Sequence, residues 1–119
     1  IAEFAIQESE EKFRNIFESF QDIYYRTTLS GDLILVSPSA KELLGYDPEE
    51  MIGFNIKNFY DTRVESENYR KLLFSNGVAK NIETAFVTKW GSVIQTISNI
   101  RLLYNQRKEP IAIEGVVRD

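Results

Sequence analysis

The sequence predicts a single α+β domain built around an antiparallel sheet. A helical segment comes first, two strands and several short helices follow, and three strands complete the chain, an order typical of such a fold. The length of 119 residues fits one domain with one core. Hydrophobic residues at 43% and charged residues at 27% give the balance of a globular rather than a disordered chain.

The first element is predicted to be an amphipathic helix. Large apolar residues recur at the i, i+3, i+4, i+7 spacing of one helical face. They are Phe13, Ile16, Phe17 and Phe20. We assign residues 1–20 to this entry helix and residues 21–119 to the core. The apolar face either covers the domain's own sheet or packs against a second copy of the chain, and the spacing supports both arrangements equally.

Local signals mark the elements of the first half of the core. Residues 23–28 and 33–36 are rich in β-branched and aromatic side chains, and the polar turn between them predicts a hairpin. The Ser-Pro pair at 37–38 and the Asp-Pro pair at 47–48 each place proline after a capping side chain. That combination predicts two short helices.

The second half is predicted to contain one longer helix and then strands. The helix is expected from Asp61 to Phe74, because an Asn-Gly pair that ends helices follows shortly afterwards. Three segments, 82–89, 93–104 and 110–117, have the composition of strands and are separated by polar turns. The sequence has neither an internal repeat nor a low-complexity linker.

Composition narrows the classes of partner. The net charge is −4 and the 14 basic residues are scattered, which argues against nucleic-acid binding. No apolar run reaches the roughly 18–20 residues that cross a bilayer, so we predict no membrane contact by this segment. The absence of Cys fits a cytoplasmic location. Because the chain begins with Ile1, we expect it to be a piece of a longer protein, whose other parts are free to carry a membrane anchor.

The absence of both Cys and His removes much of catalytic and metal chemistry. Most zinc and haem ligand sets need one of these residues, and so do cysteine nucleophiles and His-assisted serine nucleophiles. The acidic pairs Glu10-Glu11 and Glu49-Glu50 lie near predicted helix starts, where carboxylates favour the helix dipole. The sequence therefore predicts no metal site, and a domain that is not an enzyme by itself.

Five segments, in order along the chain, resemble the PAS domain family from about Ser9 to Asp119. The most specific is LGY followed by EEMIG, which is similar to the family's Leu-Gly-Tyr and Glu-Glu-Leu-Ile-Gly signature. The other four are similar to its entry helix, its Val-Asn-Pro-Ala-Ala segment, its Lys-Asp-Gly turn and its closing strand. The five are SEEKFRNIF (9–17), VSPSA (36–40), LGY (44–46) with EEMIG (49–53), KWGS (89–92) and GVVRD (115–119).

This resemblance implies a five-stranded antiparallel sheet with short helices on one face, enclosing a small cavity. It also implies a structural salt bridge between Glu50 and Lys89, and a signal exit at Asp119 towards an output domain in the same chain. Trp90 departs from the family's usual Asp, and either contacts a neighbouring domain or folds back over nearby apolar surface. A cysteinyl-flavin adduct and a His-ligated haem are excluded because the residues are missing, non-covalent flavin stays open, and the cofactor remains unknown.

The residues expected to line the cavity are apolar or aromatic side chains of strands and covering helices, with two polar residues that could orient a ligand. They are Tyr25, Leu35, Ile56, Phe59, Tyr69, Leu73, Thr84, Phe86, Ile97 and Asn99. Three further polar residues of the same strands are also candidates to orient a ligand, namely Thr88, Ser98 and Arg101. The alternative is that the aromatic side chains fill the space themselves.

Two functions follow from the resemblance. One is a sensory or relay domain of a multidomain signalling protein such as a sensor histidine kinase or a cyclase, responding to a small-molecule ligand. The other is a structural interaction module that forms a homodimer and binds no ligand.

Overall fold

The computed structural model describes residues 2–19, 21–61 and 67–119, with side chains for 10–18, 21–61 and 69–119. The expected order of elements is present. The elements are α1 (Ala2–Ser19), β1 (Ile23–Thr27), β2 (Leu33–Val36), α2 (Ala40–Leu44), α3 (Pro48–Met51), a 3-10 helix (Ile56–Phe59), α4 (Glu67–Asn76), β3 (Val78–Val87), β4 (Val93–Tyr104) and β5 (Pro110–Arg118).

The five strands form one antiparallel sheet in the order β2-β1-β5-β4-β3. This confirms the predicted fold class. β5 occupies the centre because it pairs with β1 on one side and with β4 on the other. The last strand of the chain is therefore held along both edges, while β2 and β3 lie at the borders of the sheet.

β3 begins earlier than the sequence suggested. It starts at Val78, directly after Gly77, whose φ of 79° lies in the left-handed region that glycine tolerates. The pairing of β3 with β4 shifts register between Ala79 and Ile82, and Asn81 takes a φ of 55° at this bulge. The bulge interrupts the alternation of side chains, so the sequence pattern revealed only the part of the strand that follows it.

The short helices cover one face of the sheet and form two hydrophobic clusters with it. The first cluster joins strand residues such as Tyr25 and Phe86 to Leu44, Met51 and Phe59 from the helical segment. The second cluster lies between α4 and the other end of the sheet. Its buried members are Tyr69, Leu73, Ala79, Ile100, Leu102 and Ile113.

The end of α2 explains why the LGY segment has glycine at position 45. Gly45 follows the helix with a φ of 84°, and its N–H donates to the carbonyl of Lys41. A β-carbon at Gly45 would lie 2.8 Å from the indole ring of Trp90. Glycine is thus required both by the backbone conformation and by the close approach of the β3–β4 turn.

Candidate functional site

A row of buried hydroxyl groups crosses the covered face of the sheet. Thr84 on β3 lies opposite Thr96 on β4, with 2.7 Å between their Oγ1 atoms. Thr84 Oγ1 also lies 2.9 Å from the Oγ of Ser98. All three residues are buried, and Ser98 has no exposed surface. Each hydroxyl has a protein partner, as buried polar groups require.

Three tyrosines contribute further hydroxyls to the interior. Tyr25, Tyr60 and Tyr69 are buried, and the side chain of Tyr60 forms hydrogen bonds with the other two. Burial is the main cause that raises the pKa of the Tyr25 and Tyr60 phenols. Charge repulsion from Tyr69 raises both pKa values further, while the hydrogen bond with Tyr60 acts in the opposite direction on Tyr25. The phenols therefore stay protonated at neutral pH and can both donate and accept hydrogen bonds.

The positions of these residues along the strands place them at the boundary between the two hydrophobic clusters. Along β3, Thr84 lies between Ile82, which packs on the second cluster, and Phe86 of the first. Tyr25 and Tyr60 belong to the first cluster and Tyr69 to the second, so their hydroxyls also meet at this boundary. We call the set the hydroxyl belt. Its members are Tyr25, Tyr60, Tyr69, Thr84, Thr96 and Ser98.

The apolar space beside the hydroxyl belt is small among the described residues. A cavity in the first cluster has a volume of about 10 Å³, about that of a single water probe. Its lining is apolar apart from the Tyr25 phenol. The lining residues are Ile23, Tyr25, Leu33, Val36, Leu44, Met51, Ile56, Phe86 and Val117. This part of the interior is filled by protein side chains.

Seven of the ten expected cavity residues lie in the covered interior. Tyr25, Ile56 and Phe86 line the small cavity, and Phe59 packs in the same cluster, where its ring lies 5.2 Å from that of Tyr46. The other three take part in the second cluster or in the hydroxyl belt. They are Tyr69, Leu73 and Thr84.

The expectation has to be corrected for Leu35, Ile97 and Asn99, which lie on the opposite face of the sheet. Ile97 is 46% exposed and alternates with the buried Thr96 and Ser98, so its side chain points away from the helices. Asn99 follows Ile97 by two residues and therefore points to the same face of β4. Its Oδ1 accepts a hydrogen bond from the N–H of the bulge residue Asn81. Leu35 is paired with Arg26, whose neighbours Tyr25 and Thr27 occupy the covered face.

Two members of the hydroxyl belt, Tyr60 and Thr96, were not predicted from the sequence. Tyr60 follows the 3-10 helix and forms an isolated bridge with Phe86, their rings 4.8 Å apart. Its aromatic neighbour Phe59 was a usable signal, because a pair of aromatics beside a strand-forming core is often buried. Thr96 could be found only through the register that places it opposite Thr84.

The turn between β3 and β4 is attached to the helical segment by three contacts. Lys89 Nζ lies 2.8 Å from Glu50 Oε1 and 5.8 Å from the ring centre of Tyr46. The N–H of Lys89 donates to the carbonyl of Leu44. The hydrogen bond from Lys89 is the main cause that lowers the pKa of Glu50. Trp90 remains 73% exposed although its ring covers Gly45.

The entry helix presents an apolar surface outside the core. Phe13 and Phe17 are stacked 5.8 Å apart, and Phe17 meets Tyr24 edge-to-face at 6.3 Å. Phe13 and Ile16 are 55% and 63% exposed. The fourth member of the predicted face, Phe20, lies outside the described residues.

The described residues contain neither a metal-binding cluster nor a membrane-spanning helix. Within ranges 2–19, 21–61 and 67–119, acidic, His or Cys side chains form no group that could hold a metal ion. No helix in those ranges is long and apolar enough to span a membrane.

Comparison with known proteins places the chain in a family. The sequence model of the PAS domain matches residues 21–119. A search of the curated proteins found no match.

Solved structures share the fold. The PAS domain of an HTR-like protein from Haloarcula marismortui has a TM-score of 0.81 at 20% identity, covering 99% of this chain and 97% of that one. A domain of a sensory box sensor histidine kinase/response regulator from Geobacter sulfurreducens has a TM-score of 0.76 at 16% identity, covering 96% of both chains. The PAS-B domain of a tryptophan-to-alanine variant of Drosophila melanogaster Cycle, with bound glycerol, has a TM-score of 0.72 at 18% identity, covering 81% of this chain and 97% of that one. With the family model matching most of its length, the chain belongs to the PAS domain family of sensory and signalling domains.

Proposed function

We propose that this PAS domain is the sensory input module of a larger cytoplasmic signalling protein, such as a sensor histidine kinase, and that it acts by binding rather than by catalysis. The observation that carries the proposal is the hydroxyl belt. The hydroxyls of Thr84, Thr96 and Ser98 are paired with one another. Apolar side chains of the same shape could replace such a set at little cost in stability, so packing alone does not require it. A row of neutral donors and acceptors suits a small, uncharged, polar molecule.

Two facts support this ligand class. The belt consists only of phenol and aliphatic hydroxyl groups, which are neutral at physiological pH, so it offers hydrogen bonds without a fixed charge. A structurally similar PAS-B domain, a tryptophan-to-alanine variant of Cycle, holds glycerol, a small neutral polyol. The ligand would exchange hydrogen bonds with the belt and thereby shift the equilibrium between two packings of helices and sheet.

Native mass spectrometry of the purified domain, beside its denatured mass, tests the proposal. We expect extra mass that disappears on denaturation, or a rise in Tm at millimolar glycerol, a concentration too low for the general stabilisation that excluded osmolytes give to every fold. Thr84→Val and Tyr60→Phe should reduce either signal. Thr88→Val is the matched control, because Thr88 is equally buried but bonds to Ser92 outside the belt. An unliganded mass together with an unchanged Tm in glycerol would contradict ligand binding.

A second function, dimerisation and relay, is favoured by the exposed face of α1. Phe13 and Ile16 have little cover, and a groove of about 600 Å³ runs beside Phe13 and Phe17. We propose that α1 of a second copy covers this face, and that residues 1–20 act as an entry and dimerisation unit. Sedimentation of a Phe13→Glu, Phe17→Glu variant should show a lower mass than the wild type. An unchanged mass would remove this face from the interface.

The proposed exit is Asp119, which is exposed and directly follows the last residue of β5. A change in the packing of β5 would reach a following output domain through this residue. In the full-length parent, Asp119→Ala should weaken the response to the signal, and an intact response would count against this route.

A further inference from the structure

Tyr24 lies where the entry helix, the first strand and the last strand meet. Its ring packs edge-to-face against Phe17 of α1, with centroids 6.3 Å apart. Its hydroxyl donates to the carboxylate of Glu114 on β5, and Arg26 Nη2 donates to the same hydroxyl at 3.1 Å. One side chain thus contacts α1 at its ring and β5 at its hydroxyl.

Glu114 connects β5 with both neighbouring strands, so a displacement of the Tyr24 hydroxyl would affect the pairing of β5. Glu114 lies in the middle of β5, opposite Arg26 of β1 and Arg101 of β4. Only 9% of its surface is exposed. Arg101 Nε donates to the other oxygen of the Glu114 carboxylate. Hydrogen bonds to an ionised carboxylate are the strong ones, so this group ties three strands together on the face away from the core.

The backbone of Tyr24 is fixed independently of α1. Its N–H donates to Ser37 Oγ at 2.9 Å, and its carbonyl accepts the N–H of Ser37 at 2.8 Å. Ser37 and Ser39 share a hydrogen bond of 2.6 Å, and Ser39 Oγ donates to the carbonyl of Asp22. Because the main chain is held on both sides, a displacement of α1 acts on the ring of Tyr24 rather than on its backbone.

We propose that Tyr24 transmits the position of the entry helix to the last strand through its hydrogen bond to Glu114. A shift of Phe17 moves the phenol ring of Tyr24, and the hydrogen bond to Glu114 then weakens or strengthens. The attachment of β5 to β1 and β4 therefore changes at Glu114, four residues before Arg118. This route depends on contacts within the chain, and it operates whether or not the interior binds a ligand.

Amide hydrogen exchange tests this route in the complete 119-residue chain. The readout is the exchange rate of β5 amides 113–117 divided by the rate of β3 amides 84–86, which cancels changes in global stability. Phe17→Ala should raise this ratio about tenfold, the factor that corresponds to 1.4 kcal/mol. Tyr24→Phe keeps the ring and removes the hydroxyl, so it should raise the ratio similarly. Phe17→Ala should then have no further effect in the Tyr24→Phe background.

Control variants separate the route from other effects of α1. Among the described residues, the ring of Phe13 stacks on Phe17, whereas it is the ring of Phe17 that meets Tyr24, so Phe13→Ala should leave the ratio unchanged. All variants are compared at a concentration where sedimentation gives them equal mass. If Phe17→Ala acts equally with and without the Tyr24 hydroxyl, or if β3 and β5 change together, the proposal is overturned. Glu114→Ala gives an independent check, because it removes the acceptor of the Tyr24 hydroxyl and should also abolish the effect of Phe17→Ala.

Discussion

Gly115→Ala provides a sensitive test of how the hydroxyl belt is packed. Gly115 lies on β5 directly opposite Tyr25 of β1. A β-carbon added there would lie 2.5 Å from the Tyr25 Oη and 2.6 Å from its Cε1, well inside van der Waals contact. Tyr25 is only 4% exposed and bonds to Tyr60, so its ring has little freedom to move aside. The glycine is needed because the phenol ring lies across the strand.

The size of the effect follows from two opposing contributions. Adding a methyl group to a packed core costs about 1–3 kcal/mol. Replacing glycine restricts the unfolded chain and returns about 0.4–1 kcal/mol. We expect a net loss of about 1–2 kcal/mol. The unfolding entropy of a chain of 119 residues is about 0.25 kcal/mol/K, so Tm should fall by about 4–8 °C.

Thermal and urea unfolding of a double-mutant cycle would identify the cause. Tyr25→Leu makes room for the new methyl group, so the double variant should be about 1 kcal/mol more stable than the sum of the two single changes. Gly53→Ala is the control, because its β-carbon would meet nothing within 4 Å and its cost comes from a φ of 94°. The changes in the free energy of unfolding caused by Gly53→Ala and Tyr25→Leu should be additive. Strict additivity at Gly115 would refute the steric argument.

Three further predictions concern single groups. Burial raises the pKa of Tyr60 well above its ordinary value. Its contribution to stability is therefore present below about pH 10 and is lost above it, because the unfolded tyrosine ionises there. In urea unfolding, the free energy of unfolding of Tyr60→Phe should fall less steeply with rising pH than that of the wild type. The pKa of Glu50 is lowered chiefly by its hydrogen bond to Lys89, so in an NMR titration Lys89→Met should raise it towards its ordinary value, and the contribution of the pair should be lost as the pH falls through the pKa of the folded state. Gly45→Ala should lower Tm through both its φ of 84° and its contact with Trp90, and Trp90→Ala should relieve only the second part.

The candidate site was only partly predictable from the sequence. Tyr25, Phe86 and Thr84 were found because large or β-branched residues in recognised strands are usually inward, and the covering helices were marked by their own capping signals. Ile97 and Asn99 were misassigned because β4 carries apolar residues on both faces, with Ile94 and Ile100 on the covered side and Ile97 on the other. Without a clean alternation, a choice that is wrong by one residue moves a side chain to the opposite face.

The sequence by itself determined the class of fold, the order of its elements and the family. The fold class and the order of elements depend on local physics, namely the spacing of apolar residues and proline or glycine at helix ends such as Gly45. The family was recognised from the resemblance of five segments to known members. Only the tertiary structure decided the register of the strands, and with it the hydroxyl belt. The same is true of Tyr24 and Glu114, which are separated by 90 residues yet share a hydrogen bond. A contact across that distance depends on which strands become neighbours, and no local pattern carries that information.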